Sequence, residues 1–444
     1  MSPRFVVFLD ALDPEDVLEC KKLYGSQGGS YFADNLYVKY KSTTPIITPN
    51  NVSLAMVADI NVDLNKANIG ARQEDLPFTR STPYKELRFG GTAEKTILHY
   101  ASEVKNLKVF CWGIPLVSQC VLPKGSMSCY DPLIKEQSPI PAPFVFLNGK
   151  TDYTKKEDYE LIFHQHVDSL CVLFATVRTL ARNNDYDVIF IGVHETDIYA
   201  HWYDGDAKIR QIKFLGDEIR ELSKIGPVFI WSDHGATLQR DDSPFFINKF
   251  LRDKGWLKYK IHEDIIEYNK KKWVDPKFPD TLPLGSPFVE IDWRKTKFFC
   301  ADAFDSMVDC TYRACNKDRF KLMDQLMETR YYDSVKMKKD SFDKEGKYYK
   351  KTPDILPETS PGVSVSCNVH EKAEGGNNLC MMRRGWHSNR ACSVLIGDEL
   401  QTEIKCMRDV YTAMKEFIDK QKPEASQPID ESIIMEELAH DLMY

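Results

Sequence analysis

The chain has 444 residues, 43% of them hydrophobic and 28% charged, enough to bury one large core or two of ordinary size. Its net charge of −7 argues against a broad nucleic-acid footprint, so no stable nucleic-acid complex is expected, while a small anionic ligand in a local basic pocket is allowed. No run approaches the roughly 18 apolar residues of a membrane span, and Phe5–Leu9 is too short for a secretory signal, so no membrane association is expected.

The twelve cysteines are scattered without a CxxC pair, and Cys171 and Cys392 lie in apolar, core-like runs. Free thiols in a cytoplasmic protein are the expectation; the even count leaves disulfides as the alternative, a local Cys310–Cys315 pair among them. Oligomeric state has no signal in the sequence.

In chain order, Phe5-Val-Val-Phe-Leu9 reads as a strand ending at Asp10, and Asp13-Pro14 turns the chain into a helix near Glu15–Leu23. A carboxylate at a strand's C-terminal end has the placement of a metal ligand; capping the following helix is the simpler role for Asp10. Tyr40–Ser53 is polar and turn-rich. Within it Thr48-Pro49 could open a helix, with the Thr48 hydroxyl beside N-terminal N–H groups that suit an anion, although Thr-Pro is also an ordinary helix start.

Residues 84–106 read as largely helical, Lys108-Val-Phe-Cys-Trp112 as a buried strand, and Val121–Lys156, rich in Pro, Gly and Ser, as a long loop. Leu161, Val167, Leu170, Cys171, Phe174, Val177 and Leu180 then recur at helical spacing, with His164 and His166 as structural or solvated positions. Asp187-Val-Ile-Phe-Ile-Gly-Val193 is the next buried strand. Asp197 and His201 follow it, and in a helix their i, i+4 spacing sets both on one face.

A helix over 207–224 carries Ile209, Ile212, Leu215, Ile219 and Leu222 on one side, and leads into Pro227-Val-Phe-Ile-Trp231 by a crossover of the parallel-sheet kind. Asp233 and His234 emerge where that strand ends. Acid–imidazole pairs at the ends of two strands predict a two-metal site.

Residues 242–360 break the rhythm and are expected to form a smaller cap or insertion, with the Lys-rich runs at 270–272, 336–339 and Lys350-Lys351 as solvated surface. After the polar Glu374–Asn378 come Arg383-Arg-Gly-Trp-His387-Ser388, the apolar run Ala391–Ile396, and a helix with Ile404, Met407, Val410, Met414 and Phe417 on one face. The acidic tail 421–444 is expected to fray. His99, His262, His370 and His440 have no partners at useful spacing.

Taken in order, these residues resemble the alkaline phosphatase superfamily, specifically its type I phosphodiesterase/nucleotide pyrophosphatase branch. The resemblance is carried by Asp10 ending the first strand, Ile47-Thr48-Pro49, Asp197-x-x-x-His201, Ser232-Asp233-His234-Gly235 and a late Gly385-x-His387. Ile291–Phe299 and Asp409–Met414 are similar to further segments of that branch. The implied fold is α/β: an alkaline-phosphatase-like doubly wound sheet flanked by helices, with residues 1–241 and 361–420 as core and 242–360 as cap.

The resemblance also implies two divalent metal ions, zinc first and manganese as the alternative. One would be held by Asp10, Asp233 and His234 with the Thr48 oxygen, the other by Asp197, His201 and His387. Imidazole and carboxylate donors suit either metal. In the implied reaction Thr48 attacks phosphorus in line, an alcohol or nucleotide phosphate leaves, and water hydrolyses the phospho-threonine. The expected partner is a small phosphorylated substrate, a nucleotide among the candidates. Trp112, Trp202, Tyr203 and Trp386 either stack on a base or belong to the core. A phosphomonoesterase, and a non-catalytic binding protein on the same fold, are the alternatives.

Three departures from the family stand out. Val57-Ala58 occupies a place where Thr-Gly is common, and Ala11 follows Asp10 where Gly is frequent, which an unstrained turn tolerates. The phosphate-contacting Asn of many members has no clear counterpart, Asn68 and Arg72 being nearest. His194 and Glu195 lie beside Asp197, where groups that orient metal ligands would sit, or are ordinary loop polarity.

Overall fold

Apolar runs without polar interruption belong to strands covered on both faces. In the computed structural model three such runs, β1 (Arg4–Leu9), Val188–Val193 and Val228–Trp231, lie side by side and are buried throughout. The structure describes residues 2–25, 30–42, 56, 96–114, 122–123, 125–129, 156–202, 205–238, 245–261, 284, 289–300, 308–341, 353–367, 369 and 385–421.

After β1 come α1 (Pro14–Tyr24), α2 (Ser30–Asp34), β2 (Leu36–Lys41), α3 (Ile97–His99, continuing as a π turn through Val104), β3 (Val109–Trp112), β4 (Met127–Cys129) and α4 (Lys156–Arg182). Next are β5 (Val188–Val193), α5 (Glu195–Trp202), α6 (Gly205–Ser223), β6 (Val228–Trp231) and β7 (Gly235–Leu238). The middle of the chain forms β8 (Phe245–Phe246), α7 (Ile247–Asp253), β9 (Tyr259–Ile261), β10 (Val289–Ile291), β11 (Phe298–Phe299), β12 (Asp309–Cys310), α8 (Asn316–Met327), β13 (Tyr332–Met337), α9 (Lys338–Ser341), β14 (Ile355–Thr359) and β15 (Val365–Ser366). The described chain closes with β16 (Gly385–Ser388), β17 (Arg390–Ile396) and α10 (Met407–Asp419).

The main sheet has seven strands in the order β2-β17-β6-β1-β5-β3-β4. β5 and β6 flank β1 in parallel, β3 and β4 continue the parallel set, and β17 runs against both β6 and β2. Alternate side chains of each central strand enter opposite cores. Phe5, Val7, Leu9, Ile189, Ile191 and Ile230 pack with Val17, Phe174 and Leu215 of α1, α4 and α6. On the other face Val6, Phe8, Phe190, Phe229 and Trp231 pack with Leu98, Met414 and Phe417 of α3 and α10. At about 1.5–3 kcal/mol for each buried side chain, this two-sided burial holds the strands in register. The α/β architecture with helices on both faces is the expected one.

Several expectations are corrected. β4 lies inside the stretch read as a long loop, recruited by the edge of β3. On α4, Leu161 and Cys171 are exposed, and Ile162 and Leu173 take buried places instead. Of the two roles open to Trp112, the structure bears out the core one. The cysteines are as expected: no disulfide joins Cys310 to Cys315 or any other pair of the nine described cysteines.

Phe245, Leu251, Phe298, Phe299, Leu322, Leu326 and Ile355 form a further buried cluster in the middle of the chain, which Val363, Val365 and Val369 join from beyond residue 360. Among the described residues its strands pair two by two. Among the described residues no helix is long and apolar enough to cross a membrane. Thr48, Val57-Ala58, Asn68, Arg72, Tyr203, His262, His370, His440, the 374–378 stretch, the tail from 422, and the side chains of Trp202 and Trp386 lie outside the described residues.

Candidate metal centre

The neighbours β5, β1 and β6 end together, and the residue order places a functional group just past each end. Asp10 directly follows β1, its amide bonded to Val193 O at 2.9 Å. Asp197 and His201 sit on α5, one turn apart, just after β5, with His201 Nε2 3.4 Å from Asp197 Oδ1. Asp233 and His234 follow β6 and are fully buried. His387 arrives on β16, which pairs antiparallel with β7 and sets His387 opposite Ala236.

Two groups of donor atoms converge, Asp10–Asp233–His234 and Asp197–His234–His387, the atoms of each lying within 4.8 Å of one another. His234 is common to both: its Nε2 is 3.5 Å from Asp10 Oδ1 and 3.3 Å from Asp233 Oδ2, and its ring stacks on His387 at 4.0 Å. His201 joins through His387, Nε2 to Nε2 at 3.0 Å. The six described residues singled out from the sequence are thus brought together; Thr48, the seventh, lies outside the described residues.

The groups around these side chains hold them in place. Asp10 does not cap α1; Asp13 does, its Oδ1 accepting from the Glu15 amide at 2.9 Å. Asp13 Oδ2 accepts from Ser388 Oγ at 3.1 Å and from Arg390 at 2.9 and 3.0 Å, which ties the β16–β17 junction, and with it His387, to the end of β1.

The turn after Asp10 is not the unstrained one expected: Ala11 is left-handed, with φ +57°, a conformation that costs an L-residue about 1–2 kcal/mol. It aims the Ala11 N–H at Asp233 Oδ1, 3.3 Å away. His194 is more than loop polarity. Its Nε2 donates to Gly113 O at 2.6 Å, and its Nδ1 lies 2.9 Å from Oδ2 of Asp10, 184 residues away, a pairing that sequence spacing does not signal. His166 is structural as expected: it is buried against Tyr199, Nδ1 to hydroxyl at 2.8 Å.

No family model and no curated protein matches the chain. Among solved structures, phosphonoacetate hydrolase from Sinorhizobium meliloti 1021 in complex with phosphonoformate superposes with a TM-score of 0.57, covering 94% of this chain and 95% of that one at 13% identity. The chain shares the fold of that hydrolase. Human ectonucleotide pyrophosphatase/phosphodiesterase 5 matches at a TM-score of 0.48 and 12% identity, covering 96% and 97% of the two chains. Alkaline phosphatase PafA matches at 0.47 and 13%, covering 95% and 98%.

The electrostatics of the centre call for positive charge. Burial, and then the neighbouring Asp233 and Asp197, raise the Asp10 carboxyl well above the usual carboxylate range. Burial opposes ionisation of Asp197 too, but the imidazoles of His201, His387 and His234 hold it well below that range. Burial, and then His387, push His234 down to about 3, so it is neutral and able to ligate. Asp197 Oδ1 is itself buried without a hydrogen bond of good geometry, facing His201 Nε2 at 3.4 Å and His387 Nε2 at 3.5 Å. Three carboxylates and three imidazoles with this little solvent fit divalent cations in chemistry and charge.

Proposed function

We propose that the protein is a metal-dependent hydrolase of phosphoric esters, acting on phosphodiester or nucleotide pyrophosphate bonds with Thr48 as its nucleophile. The observation that supports this most directly is the pair of donor groups sharing His234 at the ends of β5, β1 and β6. Asp10, Asp233 and His234 would hold one ion and Asp197, His201 and His387 the other, zinc or manganese by donor type. Bound there, divalent ions would neutralise phosphoryl charge and lower the pKa of a nucleophilic hydroxyl. The Thr48 Oγ forms a bond to phosphorus as the leaving oxygen departs on the opposite side, and water then cleaves the phospho-threonine to release phosphate or its monoester. The segment 242–360 is proposed to cap the centre and to select the leaving group.

A phosphomonoesterase on the same centre differs only in taking an unesterified phosphoryl oxygen where a diesterase takes the second, non-leaving ester group. The phosphonoacetate hydrolase named above adds a phosphonate to the substrates worth offering. The deciding experiment measures turnover of bis(nitrophenyl) phosphate, nitrophenyl phosphate, a dinucleoside polyphosphate and phosphonoacetate, with zinc or manganese supplied, for wild type and Thr48→Ala. Diester or pyrophosphate cleavage that chelation abolishes and Thr48→Ala lacks is the expected result. Metal-loaded protein that turns over none of the four would favour a non-catalytic binding protein instead.

A further inference from the structure

We propose that His194 is a positioning residue that makes Asp10 a one-oxygen ligand, holding Oδ2 so that Oδ1 points into the metal centre. The inference rests on the metal centre proposed above. His194 is the single residue between β5 and α5, and both of its ring nitrogens are engaged, Nδ1 with Asp10 Oδ2 at 2.9 Å and Nε2 with Gly113 O at 2.6 Å. With Nε2–H given to Gly113 O and Nδ1 engaged by Asp10, the ring is an orienting group and not a ligand. The edge-to-face contact with Phe8, centroids 5.4 Å apart, fixes its plane.

The far end of this clamp is built by close backbone approach. Gly113, at φ +71°, turns its carbonyl toward β5 beside Gly192, where a Cβ would stand 2.2 Å from Gly113 O. Only a glycine at 192 lets that carbonyl come near enough to receive His194 Nε2. Asp10 and Asp233 are treated alike: Asp233 Oδ1 faces the Ala11 N–H while Oδ2 faces His234 Nε2 at 3.3 Å, and Asp10 Oδ2 faces His194 while Oδ1 faces the same nitrogen at 3.5 Å. Each acid thus spends one oxygen on the protein and turns the other inward. An unclamped carboxylate can rotate or engage a cation through both oxygens.

The test is calorimetric titration of metal-free protein with zinc chloride, for wild type, His194→Ala and His194→Gln. His194→Ala is expected to bind one of two zinc ions about 10–100-fold more weakly and the other unchanged. Equal affinities for both ions in folded His194→Ala overturn the inference. Should His194→Ala not fold, His194→Gln, whose amide reaches only one of the two partners, is loaded with cobalt. A visible spectrum moved toward higher coordination number supports the clamp, and one identical to wild type overturns it. Wild-type protein that takes up no zinc would remove the metal centre itself, and the inference with it, so the two failures are told apart by the wild-type titration.

Discussion

The Nε2 atoms of His201 and His387 are 3.0 Å apart although 186 residues separate them in the chain. Both also lie within 3.5 Å of Asp197 Oδ1. Two imidazoles and a carboxylate this close satisfy a shared cation better than they satisfy one another. His387→Ala is therefore expected to lose about one equivalent of zinc after dialysis, measured by plasma mass spectrometry. Turnover should fall by ~1,000-fold or more, equivalent to ~4 kcal/mol of transition-state stabilisation. Full metal content in the folded variant would remove His387 from the ligand set.

Zinc uptake should release protons. Because burial and the adjacent Asp233 and Asp197 raise Asp10, the metal-free protein keeps a proton there at pH values where an ordinary aspartate is ionised. A bound dication expels it. Titrations in buffers of differing ionisation enthalpy are expected to show proton release that grows as pH falls below neutrality. An enthalpy independent of buffer at every pH would contradict the acid pair.

Ala11 and Gly192 should respond in opposite directions. Ala11→Gly relieves the left-handed backbone and is expected to raise stability by up to ~1 kcal/mol, the looser unfolded chain offsetting part of the gain. Gly192→Ala drives a Cβ into the Gly113 carbonyl and is expected to cost ~2–3 kcal/mol, since two adjacent strand ends cannot both move aside. Denaturant midpoints read both, and a Gly192→Ala midpoint equal to wild type would refute the close approach.

Away from the centre, burial pushes the His166 imidazole from 6.5 down to about 4. Between those values the unfolded chain binds the proton and the folded chain does not. The stability tied to a neutral His166 is therefore whole above pH ~6.5 and is lost as pH falls toward ~4, at up to ~1.4 kcal/mol per unit. Urea midpoints for wild type and His166→Asn across that window should converge as pH falls. Curves that stay parallel would show that His166 does not carry the dependence.

Much of the fold could be read from the sequence because its central strands are buried on both faces. Phe5–Leu9 and Val228–Trp231 need no partner to be recognised, and the acids that follow them fall at the sheet's C-terminal edge. β2 escaped notice because Lys39 and Lys41 interleave with Val38 and Tyr40 on an edge strand, where half the residues meet water. β4 is three residues long and is made a strand by β3, not by its own composition. His194 lay in plain view beside Asp197, but its grip on Asp10 follows from β1 lying next to β5, a sheet order that no periodicity encodes. The Ala11 backbone is of the same kind: the unusual residue is visible, but the φ it must adopt is set by where Asp233 sits.

β17 lies between β6 and β2 and runs against both, and the junction before it is tied to Asp13. During synthesis a ribosome delivers Asp10, Asp197 and Asp233 long before His387, and until residue 396 has emerged β6 and β2 face an empty slot one strand in from the sheet's edge. A chain stalled before that point presents two open strand edges, the surfaces most prone to pair with another polypeptide. Inserting the last strand closes the slot, and the Asp13 tie couples that step to the placing of His387, so a complete set of donors goes with a finished sheet.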